Sequence, residues 1–214
     1  MSNNSKVTTI DILRHGKTEG GEIFRGYTDV ALSIEGREQM HNALQNLSGW
    51  QHIVSSPMQR CLSFSEEFAS KYALTQSAVK DLREISFGDW DGKTFTEVWG
   101  NNATLFNNFW RDPINNTPPN AEAMNDFCHR VKQAFWQTVE QQQGRHILMV
   151  VHGGVVRALL SEVLQSAMVS LMRYEVPYAC VTRVKIYHDN NNHWPQLVFH
   201  NLNANEVEMK HEAR

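Results

Sequence analysis

The stretch Ile10-Asp11-Ile12-Leu13-Arg14-His15-Gly16 is an apolar run that ends in an arginine, a histidine and a glycine. Its outline recurs in His146-Ile147-Leu148-Met149-Val150-Val151-His152-Gly153-Gly154. Short apolar runs closed by glycine read as strands buried on both faces, the pattern of a parallel sheet. In open sheets of that kind ligands sit beyond the carboxyl ends of the strands. Two strands that each close in His-Gly can therefore deliver two imidazoles to one crevice.

Working outward, Val7 to Leu13 predicts the first strand. Ser33 is placed as the N-cap of a helix to about Leu47, with Ile34, Met40, Ala43, Leu44 and Leu47 as its apolar positions. His52 to Ser55 predicts a short strand. Ser56-Pro57 then reads as a cap and a first-turn proline for a helix to about Lys71, which sets Arg60 just past a strand end. A third strand is expected near Ser77 to Lys80, and the glycines and acids of Asp81 to Gly92 predict an ordered loop over the sheet edge. Thr94-Phe95-Thr96-Glu97 matches a capping box. It opens a stretch rich in Asn, Pro and aromatics (Trp99, Phe106, Phe109, Trp110), expected to be a small helical insertion over about 93–120 that acts as a lid. The aromatics there suit either a local core or a platform for a flat base.

Met124, Phe127, Val131, Ala134, Phe135 and Val139 form a 3.6-residue stripe on a helix from about Glu122 to Gln143. A helix from about Val155 to Leu164 follows the His146 to Val151 strand. Two β-rich stretches, Cys180 to Tyr187 and Leu197 to Leu202, then flank an Asn-rich turn, and the chain after 203 is expected to fray. This alternation predicts an α/β fold: a three-layer α/β/α sandwich on a mostly parallel sheet, with residues 1–214 as one domain.

The chain has 214 residues, 41% of them hydrophobic, and a formal net charge of −3. That balance argues against general attraction to nucleic acid or an anionic membrane, so an anion site must be local. Cys61, Cys128 and Cys180 are odd in number and widely spaced, which indicates neither a disulfide framework nor a zinc site. With no apolar leader in Met1 to Lys6 and no run of roughly 18 apolar residues, a soluble protein of the reducing cytoplasm is expected. His188 and His193 flank the Asn-rich turn without further ligands and are read as exposed turn residues. His41, His129 and His200 carry no functional expectation.

A phosphoryl group spreads charge over several oxygens, and guanidinium forks meet such oxygens bidentately. Arg14 and Arg60 supply two forks, and the Gly153 N–H adds a donor at the strand end. A histidine can take the phosphoryl group on one ring nitrogen if its other N–H is held by a carbonyl. His15 or His152 could fill that role, the other stabilising the charge that develops. A leaving alkoxide needs a proton from a nearby carboxyl, which a neighbouring dianion keeps protonated, and Glu84 in the ordered loop is the candidate. No metal or other cofactor is called for. Taken alone, Arg14-His15-Gly16 also reads as a strand end with a surface arginine, and Asp81, Asp89 and Asp91 compete with Glu84.

The chain resembles the histidine phosphatase superfamily, whose fold is phosphoglycerate mutase-like. Leu13-Arg14-His15-Gly16 with Thr18, Gly36, Ser55-Ser56-Pro57-Met58-Gln59-Arg60, Leu82-Arg83-Glu84 to Gly92, and Val151-His152-Gly153-Gly154 carry the likeness, over about residues 7 to 202. The resemblance implies His15 as the phosphohistidine, Glu84 as proton donor, His152 as charge stabiliser, and Arg14 and Arg60 as phosphate ligands. Within the family, Gly21 to Ser33 and Phe87-Gly88-Asp89-Trp90 are most similar to α-ribazole phosphatases of cobalamin biosynthesis. That likeness implies a small phosphomonoester, α-ribazole 5′-phosphate or cobalamin 5′-phosphate, as partner, with Arg25 and Gly26 beside it. Lys17, Gly21 and Asn120-Ala121-Glu122-Ala123 depart from the family pattern, where acids, an asparagine and Gly-Gly-Glu-Ser are common. A single arginine in Phe109-Trp110-Arg111-Asp112-Pro113 favours a phosphatase over a mutase. A broad sugar-phosphate phosphatase, a mutase-type phosphotransferase and a catalytically weak phosphate-binding module remain the alternatives.

Overall fold

Along β4 (His146–Val151) successive side chains turn to opposite faces of a sheet, and both faces are dry. Ile147, Met149 and Val151 enter one apolar cluster, and Leu148 and Val150 enter another. That double burial is what an uninterrupted apolar run requires. The computed structural model describes residues 6–189 and 192–202. Its six-stranded sheet has the order β3 (Thr75–Ala78), β2 (His52–Ser55), β4, β1 (Val7–Arg14), β5 (Val181–Asp189), β6 (Asn192–His200). The first four run parallel, and β5 and β6 are antiparallel additions. The expected tail after 203 and the tip of the Asn-rich turn lie outside the described residues.

Helices α5 (Met124–Gln141) and α6 (Gly153–Val163) cover one face, and α1 (Ile34–Leu44) and α2 (Gln59–Tyr72) pack into the cluster on the other. This is the three-layer α/β/α sandwich expected. Every apolar position of the α5 stripe is buried. Two short helices, α3 (Phe95–Asn101) and α4 (Ala103–Arg111), fill the insertion, and Thr94 with Glu97 makes the capping box at its start. Of the insertion's aromatics, Phe109 is buried in a small core with Val98, Phe24 and Trp90 and Phe106 packs against it, while Trp99 and Trp110 stay exposed.

Several boundaries move. Ser56 is not a helix cap, because α2 begins at Gln59 with Met58 as an uncapped N-cap residue, and Asp29 accepts from the Gln59 N–H at 2.8 Å. β3 lies two residues earlier than expected. It is an exposed edge strand of polar residues, tied to β2 by backbone and by hydrogen bonds of Thr75 and Ser77 to His52, so its side chains carry no apolar period. β6 starts at Asn192 rather than Leu197, since its alternating exposure hides in a polar sequence. His188 and His193 are therefore strand residues. His188 is 8% exposed and meets Thr8 Oγ1 at 2.7 Å and His193 Nδ1 at 3.0 Å, so the exposed-turn reading does not hold.

Candidate active site

The end of β1 is held by its neighbours. The His15 N–H donates to the Val151 carbonyl at 2.9 Å, and Gly16 abuts Gly36 so closely that an added Cβ would lie 2.0 Å from the Gly36 oxygen. The loop after β1 is thus locked to the start of α1. His15 itself is buried, and its Nδ1 lies 2.8 Å from the Gly16 carbonyl, which can only accept. Nδ1 carries the proton, and Nε2 is left with its lone pair. Burial and the charges of Arg60 and Arg14 hold the imidazolium well below its usual range, so the ring is neutral.

His152, at the end of β4, has a different setting. Its Nδ1 accepts from Arg60 Nε at 3.2 Å, so its Nε2 carries the proton and donates to Ser56 Oγ at 2.7 Å. It is fully buried, and burial, then Arg60, keeps it neutral too. The two rings sit edge to face with centroids 5.3 Å apart. The structure brings the two histidines together, but both His152 nitrogens are engaged. A ring N–H free to stabilise charge on a phosphoryl oxygen, the role expected of His152, is not what this arrangement offers.

Arg60 also departs from expectation. It is fully buried, and besides His152 it donates to the carbonyls of Thr28 (3.0 Å), Arg25 (3.1 Å) and Gly26 (2.9 Å). The fork expected on phosphate pins the 25–28 loop instead. Gly26 is buried as well: its N–H donates to Asp91 Oδ1 at 2.7 Å, and an added Cβ would lie 2.2 Å from the Ile85 oxygen. Its role is close packing rather than contact with a ligand.

Beside His15 lies a cavity of about 340 Å³. Arg14, His15, Arg25, Glu84, Gly153, Gly154, Arg157 and Tyr178 line one end, and Phe24, Phe87, Phe95, Phe109 and Trp110 the other. Arg14 Nε and Arg25 Nε are buried without a hydrogen-bond partner. Unpaired buried donors are costly, and two guanidiniums carrying them at one cavity mark a place for an anion. Gly153 opens α6 at that wall, where amides lack intrahelical partners.

Glu84 is held from two sides. Its Oε2 accepts from the Gly154 N–H at 3.0 Å and its Oε1 from the Ile85 N–H at 3.0 Å, and an added Cβ on Gly154 would lie 2.3 Å from Oε1. Behind it, Arg130 on α5 donates to the carbonyls of Asp81 (2.7 Å), Arg83 (2.8 Å) and Glu84 (3.0 Å) and pairs with Glu122 at 2.6 Å. Cys61 Sγ lies 3.8 Å from both His152 nitrogens, yet burial pushes its thiol up, so it is no thiolate nucleophile. Among the described residues, no group of three His, Cys, Asp or Glu side chains could hold a metal ion, and no helix is long and apolar enough to cross a membrane.

The family model of the histidine phosphatase superfamily (branch 1) matches residues 10–199. The chain belongs to the histidine phosphatase superfamily. A bifunctional protein of Mycobacterium tuberculosis is 30% identical over 187 residues, 85% of this chain and 51% of that protein, so the chain spans about half the length of such relatives. A glucosyl-3-phosphoglycerate phosphatase of Mycolicibacterium vanbaalenii is 33% identical over 172 residues, 74% of this chain and 75% of that protein. An adenosylcobalamin/alpha-ribazole phosphatase of Escherichia coli is 24% identical over 179 residues, 82% and 88% of the two chains. Among solved structures, a mycobacterial glucosyl-3-phosphoglycerate phosphatase in complex with VO3 superposes with a TM-score of 0.80 at 25% identity, covering 91% and 99% of the two chains.

Several residues hold parts in the site that the sequence reading did not assign to them. Asp91 accepts from Gly26, Tyr27 and Phe87 amides and staples the 25–27 loop to the Glu84 loop. Ser56, Arg130, Arg157 and Tyr178 were likewise missed as parts of the site. Their partners lie far away in sequence, which no local pattern reports.

Proposed function

We propose that this chain hydrolyses small phosphomonoesters through a phosphohistidine on His15. The observation that carries this reading is the single available nitrogen of His15: Nδ1 faces the Gly16 carbonyl, and the ring is neutral beside a cavity with two unpaired arginine donors. Arg14 and Arg25 would hold the phosphoryl oxygens. Nε2 would then attack phosphorus as the ester P–O bond breaks, and Glu84 in its acid form would pass its proton to the leaving alkoxide. Water would next attack the phosphohistidine while the Glu84 carboxylate takes its proton, releasing inorganic phosphate and restoring both residues. His152 would act through Arg60, whose grip on the 25–28 loop sets Arg25 in place. A catalytically weak binding module is disfavoured, since binding alone needs no carboxyl held against a helix start.

For the alcohol, the aromatic end of the cavity favours a flat apolar group, which makes α-ribazole 5′-phosphate or its cobalamin adduct the first substrate to try. The relative of α-ribazole phosphatase name supports that choice. A second reading, a phosphatase of phosphorylated sugar acids, is favoured by the 33% identity to the glucosyl-3-phosphoglycerate phosphatase and by Arg157 at the cavity wall.

The deciding measurement is kcat/KM for phosphate release from α-ribazole 5′-phosphate, glucosyl-3-phosphoglycerate, 3-phosphoglycerate and p-nitrophenyl phosphate. A preference for the riboside of about 10²-fold, the scale of pocket discrimination, is expected. An equal preference for the sugar acid would transfer the assignment to the second reading. No release from any ester would leave only phosphate binding and refute the hydrolase.

A further inference from the structure

The segment from Val176 to Cys180, which leads into β5, is sewn to the end of β1. The Ala179 N–H donates to the His15 carbonyl at 3.2 Å, the Arg14 N–H donates to the Cys180 carbonyl at 3.0 Å, and Arg14 Nη1 donates to the Val176 carbonyl. Ala179 takes a left-handed φ of 55° to make the turn. These bonds set Tyr178 over the pair Arg14-His15. Its ring centroid lies 4.3 Å from Arg14 Cζ and 5.9 Å from the His15 ring, and it lines the cavity mouth at 38% exposure.

Arg14 faces a conflict. Burial works against its charge, yet its Nε–H is unpaired, although a buried cation is ordinarily stabilised by a carboxylate. A carboxylate would occupy the in-plane donors and cancel the charge that an incoming anion needs. An aromatic face does neither, because the ring quadrupole stabilises the cation from above the guanidinium plane and leaves the N–H donors pointing outward. Toward Arg25, the other guanidinium with an unpaired Nε, Tyr178 acts through its hydroxyl, as a hydrogen-bond partner of that side chain.

We propose that Tyr178 is a positioning residue that, through its ring face, keeps Arg14 oriented with the in-plane donors not taken by Val176, Nε–H among them, free for the phosphoryl group. The proposal rests on the reading of the cavity as a phosphoryl site. Toward Arg14 it requires the ring and not the hydroxyl, so a phenylalanine keeps that contact and loses only the hydroxyl's bond to Arg25, whereas an aliphatic side chain of similar size loses both. Because the residue sits at a rim, either replacement leaves the fold standing.

Inorganic phosphate is titrated by calorimetry into wild type, Tyr178→Phe and Tyr178→Leu, and kcat and KM for p-nitrophenyl phosphate are measured on the same samples. Tyr178→Leu should weaken phosphate binding and kcat/KM about tenfold, and Tyr178→Phe, which keeps the ring over Arg14, should lose several-fold less, with both melting temperatures unchanged. Equal phosphate binding by all three proteins would overturn the proposal, as would a Tyr178→Phe variant as impaired as Tyr178→Leu. A wild type that binds phosphate but hydrolyses nothing would refute the hydrolase reading, while the titration would still decide the role of Tyr178. A wild type that neither binds nor hydrolyses would end both.

Discussion

Two neighbouring parallel strands, β1 and β4, end in the same Val/Leu-x-His-Gly outline and arrive side by side, yet their histidines do different work. His15 has one nitrogen tied to its own loop and the other at a cavity. His152 has both nitrogens engaged, by a buried arginine and by Ser56. The strand end decides where an imidazole stands, and residues from other parts of the chain decide which atom it presents. Motif symmetry is therefore a guide to place and a poor guide to role.

The sharpest break in this comparison is to remove each ring. His15→Ala should lower kcat for p-nitrophenyl phosphate on the order of 10⁴ to 10⁶, as loss of a nucleophile does. His152→Ala should cost less activity but more stability, about 3 kcal/mol in urea unfolding, because Arg60 Nε and Ser56 lose a buried partner. If His152→Ala is the more damaging to turnover, the assigned roles are reversed.

The adjoining glycines extend the contrast. A methyl on Gly154 would collide with Glu84 Oε1 at 2.3 Å, whereas one on Gly153 would press less closely, on Arg14 Nε at 3.2 Å and on the end of Arg157 at 3.3 Å. Gly154→Ala should slow hydrolysis of an alkyl phosphate about 10²-fold, and p-nitrophenyl phosphate far less, since its leaving group needs no proton. Gly153→Ala should be the milder change on both esters. Equal slowing of the two esters by Gly154→Ala would remove Glu84 from proton transfer.

The smallest effect is a shared property of the pair. Unfolded, both imidazoles titrate near 6.5, but folded they stay neutral well below it. The unfolded chain then binds protons that the folded chain refuses. Stability is complete above the unfolded value and falls as pH drops beneath it, with each ring adding a slope of up to about 1.4 kcal/mol per pH unit. Urea titrations of wild type and His15→Gln over about pH 5 to 7 should show the variant losing one such share. An unchanged slope would mean that His15 is protonated in the folded state.

What could be read from the sequence follows the range of the forces involved. β2 and β4, the capping box at Thr94 and the buried stripe of α5 were legible because burial and capping repeat within a few residues. Arg14, His15 and Glu84 were placed from the sequence at a strand end and in a loop, and all three line one cavity. The engagement of Arg60 with three carbonyls was not, because a buried arginine and a phosphate-binding arginine look alike until their acceptors are known. Ser56 shows the same limit: its hydroxyl could cap a helix, and it instead meets His152 across 96 positions of the chain.

Arg130, itself paired with Glu122, grips the Glu84 loop through main-chain oxygens and through none of that loop's side chains. The carboxyl is mounted on the α5 frame, whereas the aromatic wall that would meet the alcohol comes from loops and from α3 and α4. Reaction and selectivity thus hang on separate parts of the architecture. A cavity re-lined at Phe87, Phe95 or Trp110 should accept different alcohols while the acid group keeps its station.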